Sequence, residues 1–285
     1  MAMKNFNACA VALIVAAATG SGTLAADRRL RDAAEGKERI TFKSGDLTLV
    51  GYLFKPAGDG PFPAVVWNHG SEPNPGGTRQ FDSVASIFVP AGYVVFAPMR
   101  RGHSDSEGEY IVTTREREAA RNGAAAGQRL TTRLLETSQL DDQLAGLNVV
   151  KQLPYVDKTK LVVAGCSFGG IQTLLGAEAK AGYRAAIAIS PAALNWGHNP
   201  SLESRLKHAV DRIDIPVLLL QPPKDASLGP AQVLGPMLER RNKSSAWKIY
   251  PAVGPEDEQT HCFGGARGMH VWGADAVAFL KDVLR

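Results

Sequence analysis

From residue 38 onward the chain switches between two kinds of hydrophobic pattern. Residues 38–55 alternate polar and apolar positions, with Ile40, Phe42, Leu47, Leu49 and Leu53 on the apolar side and Ser44-Gly45-Asp46 in the middle. A two-residue period on either side of a turn signal predicts a β-hairpin. Beyond it, short uninterrupted apolar runs recur at 63–67, 93–97, 160–164, 185–189, 216–220 and 247–250. Between them lie segments of helical period: 79–89, with Phe81, Val84, Ile87 and Phe88 on one face and Pro90 as a stop; 134–153, with Leu140, Leu144, Leu147 and Val150; then 171–181, 230–241 and 274–284. Residues 107–130 have weak periodicity and contain Asn122-Gly123, which predicts an irregular insertion. Continuously apolar strands alternating with amphipathic helices imply an α/β fold, a mostly parallel sheet covered on both faces. No linker, repeat or low-complexity segment divides the chain, so residues 26–285 read as one domain.

Composition narrows the function classes. The chain has 285 residues, 45% of them hydrophobic, which excludes a disordered protein. A net charge of +4 spread over this length is no nucleic-acid footprint. The arginines of 115–121 alternate with Glu116 and Glu118, the pattern of a solvated helix face. The first 25 residues read as a signal peptide: Lys4, an apolar run at 8–18, then Thr23-Leu24-Ala25 with cleavage after Ala25. That run is shorter than the roughly 20 residues a membrane span needs. The expectation is an exported protein, periplasmic or secreted, not inserted in a membrane once the signal is removed. It keeps two cysteines, Cys166 and Cys262, and an even number in an oxidising compartment makes one disulfide the expectation.

The chemistry gathers at Gly165-Cys166-Ser167-Phe168-Gly169-Gly170, directly after an apolar run and directly before a helical segment. G-x-S-x-G in that context places a serine on a sharp strand-to-helix turn, and the glycines make room for the turn. Reading Cys166 as the nucleophile would put Phe168 where a glycine is required. In this chain order the acid and then the base follow the serine. Asp225, just past the 216–220 run, is the acid, preferred to Asp211, Asp214, Glu256 and Asp257. His261, in the loop before the last helix, is the base, preferred to His270 at the helix entrance. His198 and His208 come too early and read as surface residues, His69 as a packed residue and His103 as part of a polar turn. The backbone N–H groups of Phe168 and Ser71 form the expected oxyanion hole. The His and Cys residues lack metal-ligand spacing, and no cofactor is expected. Residues 190–215 leave room for a small cap with Trp196 lining the acyl site, and 107–130 could border the same pocket. The expected partner is a small-molecule ester. The rival readings are a non-catalytic hydrolase-like binding protein, an acyltransferase and a peptidase of the same fold.

Residues 38–285 resemble an α/β-hydrolase, and most closely the dienelactone-hydrolase-like branch. The resemblance rests on Asn68-His69-Gly70, Gly92–Pro98 followed by Arg100-Arg101-Gly102, the 165–170 motif, Gln221-Pro-Pro-Lys-Asp225, His261-Cys-Phe263, and Trp272 before Phe279-Leu280. It implies an eight-stranded sheet, ester hydrolysis and the triad Ser167, Asp225 and His261. The chain carries Ser167 where dienelactone hydrolases place a cysteine. A narrower resemblance, to tannases and feruloyl esterases, rests on Cys166-Ser167 and His261-Cys262, and implies a disulfide joining Cys166 to Cys262.

Overall fold

The computed structural model describes residues 36–285, and the segment read as a signal peptide lies outside them. Strands β1 (Glu38–Ser44) and β2 (Leu47–Phe54) form the expected hairpin, turning at Gly45 with φ +56°. Strand β2 then pairs antiparallel with β4 (Val94–Pro98). Parallel pairing runs from β4 through β3 (Phe62–Asn68), β5 (Val156–Cys166), β6 (Ala185–Ile189), β7 (Val217–Gln221) and β8 (Ala246–Ile249). The eight-stranded order is β1-β2-β4-β3-β5-β6-β7-β8. The central strands are continuously apolar because both faces are covered. Ala64 and Val66 of β3 enter the core on one side, Val65 and Trp67 the core on the other.

Two helices cover the second side, α1 (Gln80–Phe88) and α8 (Met269–Val283). There Trp67 stacks on Trp272, with centroids 5.9 Å apart. The first side is covered by α4 (Ser138–Gln152), α5 (Phe168–Glu178), α6 (Pro200–Val210) and α7 (Gly229–Arg241). Among the described residues, no helix is long and apolar enough to cross a membrane.

Four local expectations are corrected. Residues 107–130 are no irregular insertion. They hold α2 (Ile111–Asn122) and most of α3 (Ala124–Glu136), broken at Gly123 with φ +87°. Helix α2 buries only Ile111, so it has no apolar stripe to betray it. It meets α3 through small residues: a Cβ at Gly127 would lie 2.9 Å from Ala119 Cβ. Likewise 134–153 is the end of α3 plus α4, separated by Thr137 in a non-helical conformation. Helix α8 starts at Met269 and runs through Gly273, whose missing side chain admits Ile87 of α1; a Cβ there would lie 3.0 Å from Ile87 Cδ1. Finally, within 190–215 it is not Trp196 that lines the cleft. Leu202, Leu206, Ala209 and Val210 of α6 join the first core, and Trp196 packs on Gly229, where a Cβ would lie 2.2 Å from its Cδ1.

Candidate active site

Ser167 occupies the one residue between β5 and α5, with φ +61° and ψ −121°. A non-glycine residue in such a region costs on the order of 1–3 kcal/mol and persists only where its surroundings enforce it. The enforcement is visible. Ser167 N donates to Ile189 O at 3.0 Å, and Ile171 N donates to Ser167 O at 3.0 Å. A Cβ at Gly165 would lie 2.5 Å from Asn68 O, and one at Gly169 only 1.9 Å from the same carbonyl. The end of β3 thus crowds the turn so closely that only glycine fits on either side. The Phe168 N–H lies in the first turn of α5, where amides have no partner within the helix.

Asp225 leaves β7 through Gln221-Pro222-Pro223, and its side chain is fully buried. Its Oδ1 lies 2.7 Å from His261 Nδ1 and accepts from Ala226 N at 2.8 Å, while Oδ2 accepts from Gln221 Nε2 at 3.1 Å. Burial pushes the carboxyl up, but donors from His261, Ser190 and Gln221 outweigh it and hold it below the usual carboxylate range. An ionised Asp225 makes Nδ1 the protonated nitrogen of His261, which leaves Nε2 as the basic one. That Nε2 is buried and has no hydrogen-bond partner.

His261 arrives on an irregular segment. Short 3₁₀ turns span Asp257–Gln259 and His261–Gly268, and Cys262 and Phe263 hold φ of +55° and +56°. Three ties secure it. Lys224 N donates to Gln259 O at 2.8 Å. Phe263 is fully buried with its ring edge-on to Tyr250. The third is the Cys166–Cys262 disulfide, with Cα atoms 6.0 Å apart and a separation of 96 residues in sequence. The bridge joins the neighbour of Ser167 to the neighbour of His261.

A cleft of about 390 Å³ opens over these groups. Ser71, Ser167, His261 and both cysteines line it, with Trp67, Ile189, Leu194, Met269 and Trp272 as its apolar wall. Segment 69–71 passes beside the nucleophile: a Cβ at Gly70 would lie 3.8 Å from Ser167 Cβ. The structure therefore brings Ser167, Asp225, His261, Ser71 and Phe168 into one neighbourhood. His270 is exposed at the start of α8, with Nε2 3.3 Å from Glu258 Oε2, and does not line this cleft. His198 and His208 are exposed. Leu194, not Trp196, represents residues 190–215 in the wall. Of 107–130, the contribution is indirect: the Tyr110 hydroxyl donates to Ser71 O, while α2 and α3 face a separate pocket.

Sequence reasoning missed Glu72 and Gln80 at the cleft, where Gln80 Nε2 donates to Glu72 Oε1 at 2.5 Å. It also missed the roles of Gln221, Arg100 and Tyr110. A polar residue at the carboxyl end of a buried strand was the available signal for the first two.

The profile of the dienelactone hydrolase family matches residues 49–267. The chain is 29% identical over 166 residues to the quorum-quenching protein AidA of Acinetobacter baumannii, a match covering 57% of this chain and 46% of that one. The matched stretch thus spans about half of that relative's length. Among solved structures, the Pyrococcus furiosus esterase Pf2001 superposes with a TM-score of 0.67 at 16% identity, over 90% of this chain and 95% of that one. An acylaminoacyl peptidase of Pyrococcus horikoshii superposes with a TM-score of 0.63 at 18% identity, over 87% of this chain and 41% of that one. At such identities the likeness is one of fold.

Proposed function

The chain belongs to the dienelactone hydrolase family, and from that premise we propose that it is an exported serine hydrolase of small or medium carboxylic esters, acting through an acyl-enzyme on Ser167. The observation that carries this reading is the gathering of three groups around one cleft: Asp225 on Nδ1 of His261, an Nε2 with no hydrogen-bond partner, and Ser167 on a strained turn in the same lining.

In the proposed reaction His261 Nε2 takes the proton of Ser167 as its Oγ attacks the ester carbonyl. The carbonyl oxygen becomes an oxyanion facing the N–H groups of Ser71 and Phe168, where fixed donors act in a site of low dielectric. Collapse of the tetrahedral adduct expels the alkoxide, which leaves with the proton from His261. Water then attacks the acyl-enzyme by the same steps in reverse, releasing the acid. Asp225 keeps the imidazole in the required tautomer and stabilises its cation. The apolar wall of Trp67, Ile189, Leu194, Met269 and Trp272 suits an uncharged acyl group. Glu72 at the same cleft disfavours substrates with a carboxylate near the ester. The leader pattern of residues 1–25 and the disulfide support export to a periplasm or beyond the cell. The Cys-Ser and His-Cys pairing supports an arrangement like that of tannases and feruloyl esterases.

The test is fluorophosphonate labelling read by intact mass, on the parent and on Ser167→Ala, followed by a panel of p-nitrophenyl esters. One adduct on the parent and none on the variant is expected. A folded parent that takes no adduct would overturn the reading in favour of a non-catalytic binding protein.

A further inference from the structure

Arg100 follows β4 and is fully buried. Among the described residues no carboxylate lies within ion-pair distance of its guanidinium. The nearby buried acid, Asp142, is taken by the next residue: Arg101 donates to it from its backbone N, Nε and Nη2 at 2.8–2.9 Å. Asp142 and Glu72 favour the charge only from a distance, and burying a charge with no counter-ion in contact is costly, so such groups are kept where another use compensates. What Arg100 holds instead is backbone. Its Nη2 donates to His69 O at 2.9 Å and to Gly70 O at 3.0 Å, and its Nε donates to Gln139 Oε1 at 3.1 Å.

The neighbouring histidine can be assigned a tautomer. Arg100 N donates to His69 Nε2 at 3.1 Å, so Nε2 carries no proton. The proton is then on Nδ1, which donates to Gly70 O at 2.8 Å. Burial, together with Arg100 and His103, holds His69 well below the ordinary histidine range and keeps this ring neutral. One residue on, Ser71 O accepts from the Tyr110 hydroxyl. Three successive carbonyls, at 69, 70 and 71, therefore accept side-chain donors, and Gly70 O accepts two.

Gly70 C=O and Ser71 N–H belong to one planar peptide, and in a trans peptide they point in opposite directions. Donors on the carbonyl side orient the N–H toward the other side. A cationic donor also draws electron density along the peptide, and hydrogen bonds linked in this way strengthen one another by about 10–30%.

We propose that Arg100, seconded by His69 and Tyr110, is the positioning residue of the oxyanion loop, orienting and polarising the Gly70–Ser71 peptide so that the Ser71 amide is a fixed, strengthened donor to the transition state. The proposal rests on the acyl-transfer reading above. Arg100 touches no substrate and acts through the peptide alone. Its loss therefore lowers kcat and leaves ground-state binding of the ester intact. Removing an oxyanion donor outright costs about 10²–10³ in kcat; a donor left in place but misaimed costs less.

The test compares the full-length parent with Arg100→Met, Arg100→Lys and Tyr110→Phe. It reads kcat and KM on a p-nitrophenyl ester, affinity for a boronic acid that forms a tetrahedral adduct on Ser167, and folding by circular dichroism. Expected are a fall in kcat of about 10- to 100-fold for Arg100→Met, within the bound above, with KM within about threefold and boronate affinity falling in parallel with kcat. Arg100→Lys recovers part of the loss, since it restores a cationic donor without the fork. Tyr110→Phe shows the same signature at smaller size. A folded Arg100→Met with unchanged kcat, or one whose loss lies in KM with boronate affinity unchanged, overturns the proposal. Should neither Arg100 variant fold, Tyr110→Phe decides: unchanged kcat and boronate affinity overturn it. A parent that neither labels at Ser167 nor turns over ester removes the acyl-transfer reading and this inference together. An active parent with an unaffected Arg100→Met removes only the inference.

Discussion

Between β5 and α5 the chain turns on residues 165–170, and between β8 and α8 it wanders through residues 250–268; each of these segments delivers one reacting group to the same cleft. The first is held by crowding. Asn68 O sits where side chains at 165 and 169 would go, and Ser167 is tied at both its N–H and its carbonyl to neighbouring elements. The second has only short, irregular 3₁₀ turns around His261, carries two left-handed non-glycine residues, and relies on a buried ring, a backbone bond to Lys224 and a disulfide. A group on a regular strand–turn–helix can be placed by packing, because the sheet supplies a rigid reference on every side. A group on a long irregular segment has no such reference, and a covalent link to the packed one supplies it.

Experiments can break this contrast at several strengths. Asp225→Asn should have the largest effect, since it leaves the His261 segment in place but removes the carboxylate that sets its tautomer; kcat should fall by about 10³–10⁴ with the fold intact. The same residue predicts an acid limb in stability. Its folded pKa lies below the ordinary carboxylate value, so its contribution is present above that value and is lost as pH falls through the lowered one. Denaturation midpoints across pH 2–6, parent against Asp225→Asn, measure it; a variant with the same acid limb as the parent would contradict the assignment.

Next is the bridge. Replacing Cys166 and Cys262 together by serine should destabilise the protein by about 2–5 kcal/mol, the range for a native disulfide, with roughly 4.7 kcal/mol as the entropic figure for a loop near 100 residues. Activity should fall with it, and hydrogen exchange should rise in 250–268 while 165–170 stays protected. Equal loss of protection in both segments would show that packing does not hold the nucleophile turn independently.

Gly169→Ala tests the crowded side. A methyl group 1.9 Å from Asn68 O forces β3 and the turn apart, at a cost of about 1–3 kcal/mol for overpacking, with activity lost beyond the change in stability. The smallest effect is expected for His270→Ala. Its exposed ring faces Glu258 outside the cleft, so stability should stay within about 0.5 kcal/mol, as surface substitutions do. A large loss of activity there would displace His261 as the base.

The two segments also differ in how legible they were. The nucleophile turn is a local object: a strand, a six-residue motif and a helix, adjacent in sequence, with glycines whose need follows from the turn itself. The base segment offered two histidines, and choosing His261 needed chain-order reasoning from a known fold. Its disulfide was legible from the cysteine count together with the export signal and from the resemblance, while the closeness of the two segments that it joins across 96 residues is a property of the folded chain. Helices α2 and α3 were missed because α2 buries a single apolar residue and meets its neighbour through Gly127 and Ala119. Trp196 drew attention as a cleft residue by its type, yet it packs on Gly229, and the modest Leu194 lines the cleft instead.

Sequence alone determined the quantities that depend on near neighbours: two hairpin strands from their alternation and six more from their apolar runs, a mostly parallel two-sided sheet from the helices between them, and a serine on a sharp turn. The period of side chains along a strand or helix is set by backbone geometry, and it survives in the bare order of residues. Tertiary structure alone decided which residues wall the cleft and that a buried arginine grips the carbonyls beside the nucleophile. Those depend on the approach of segments tens of residues apart, where distances are set by packing and leave no period in the chain.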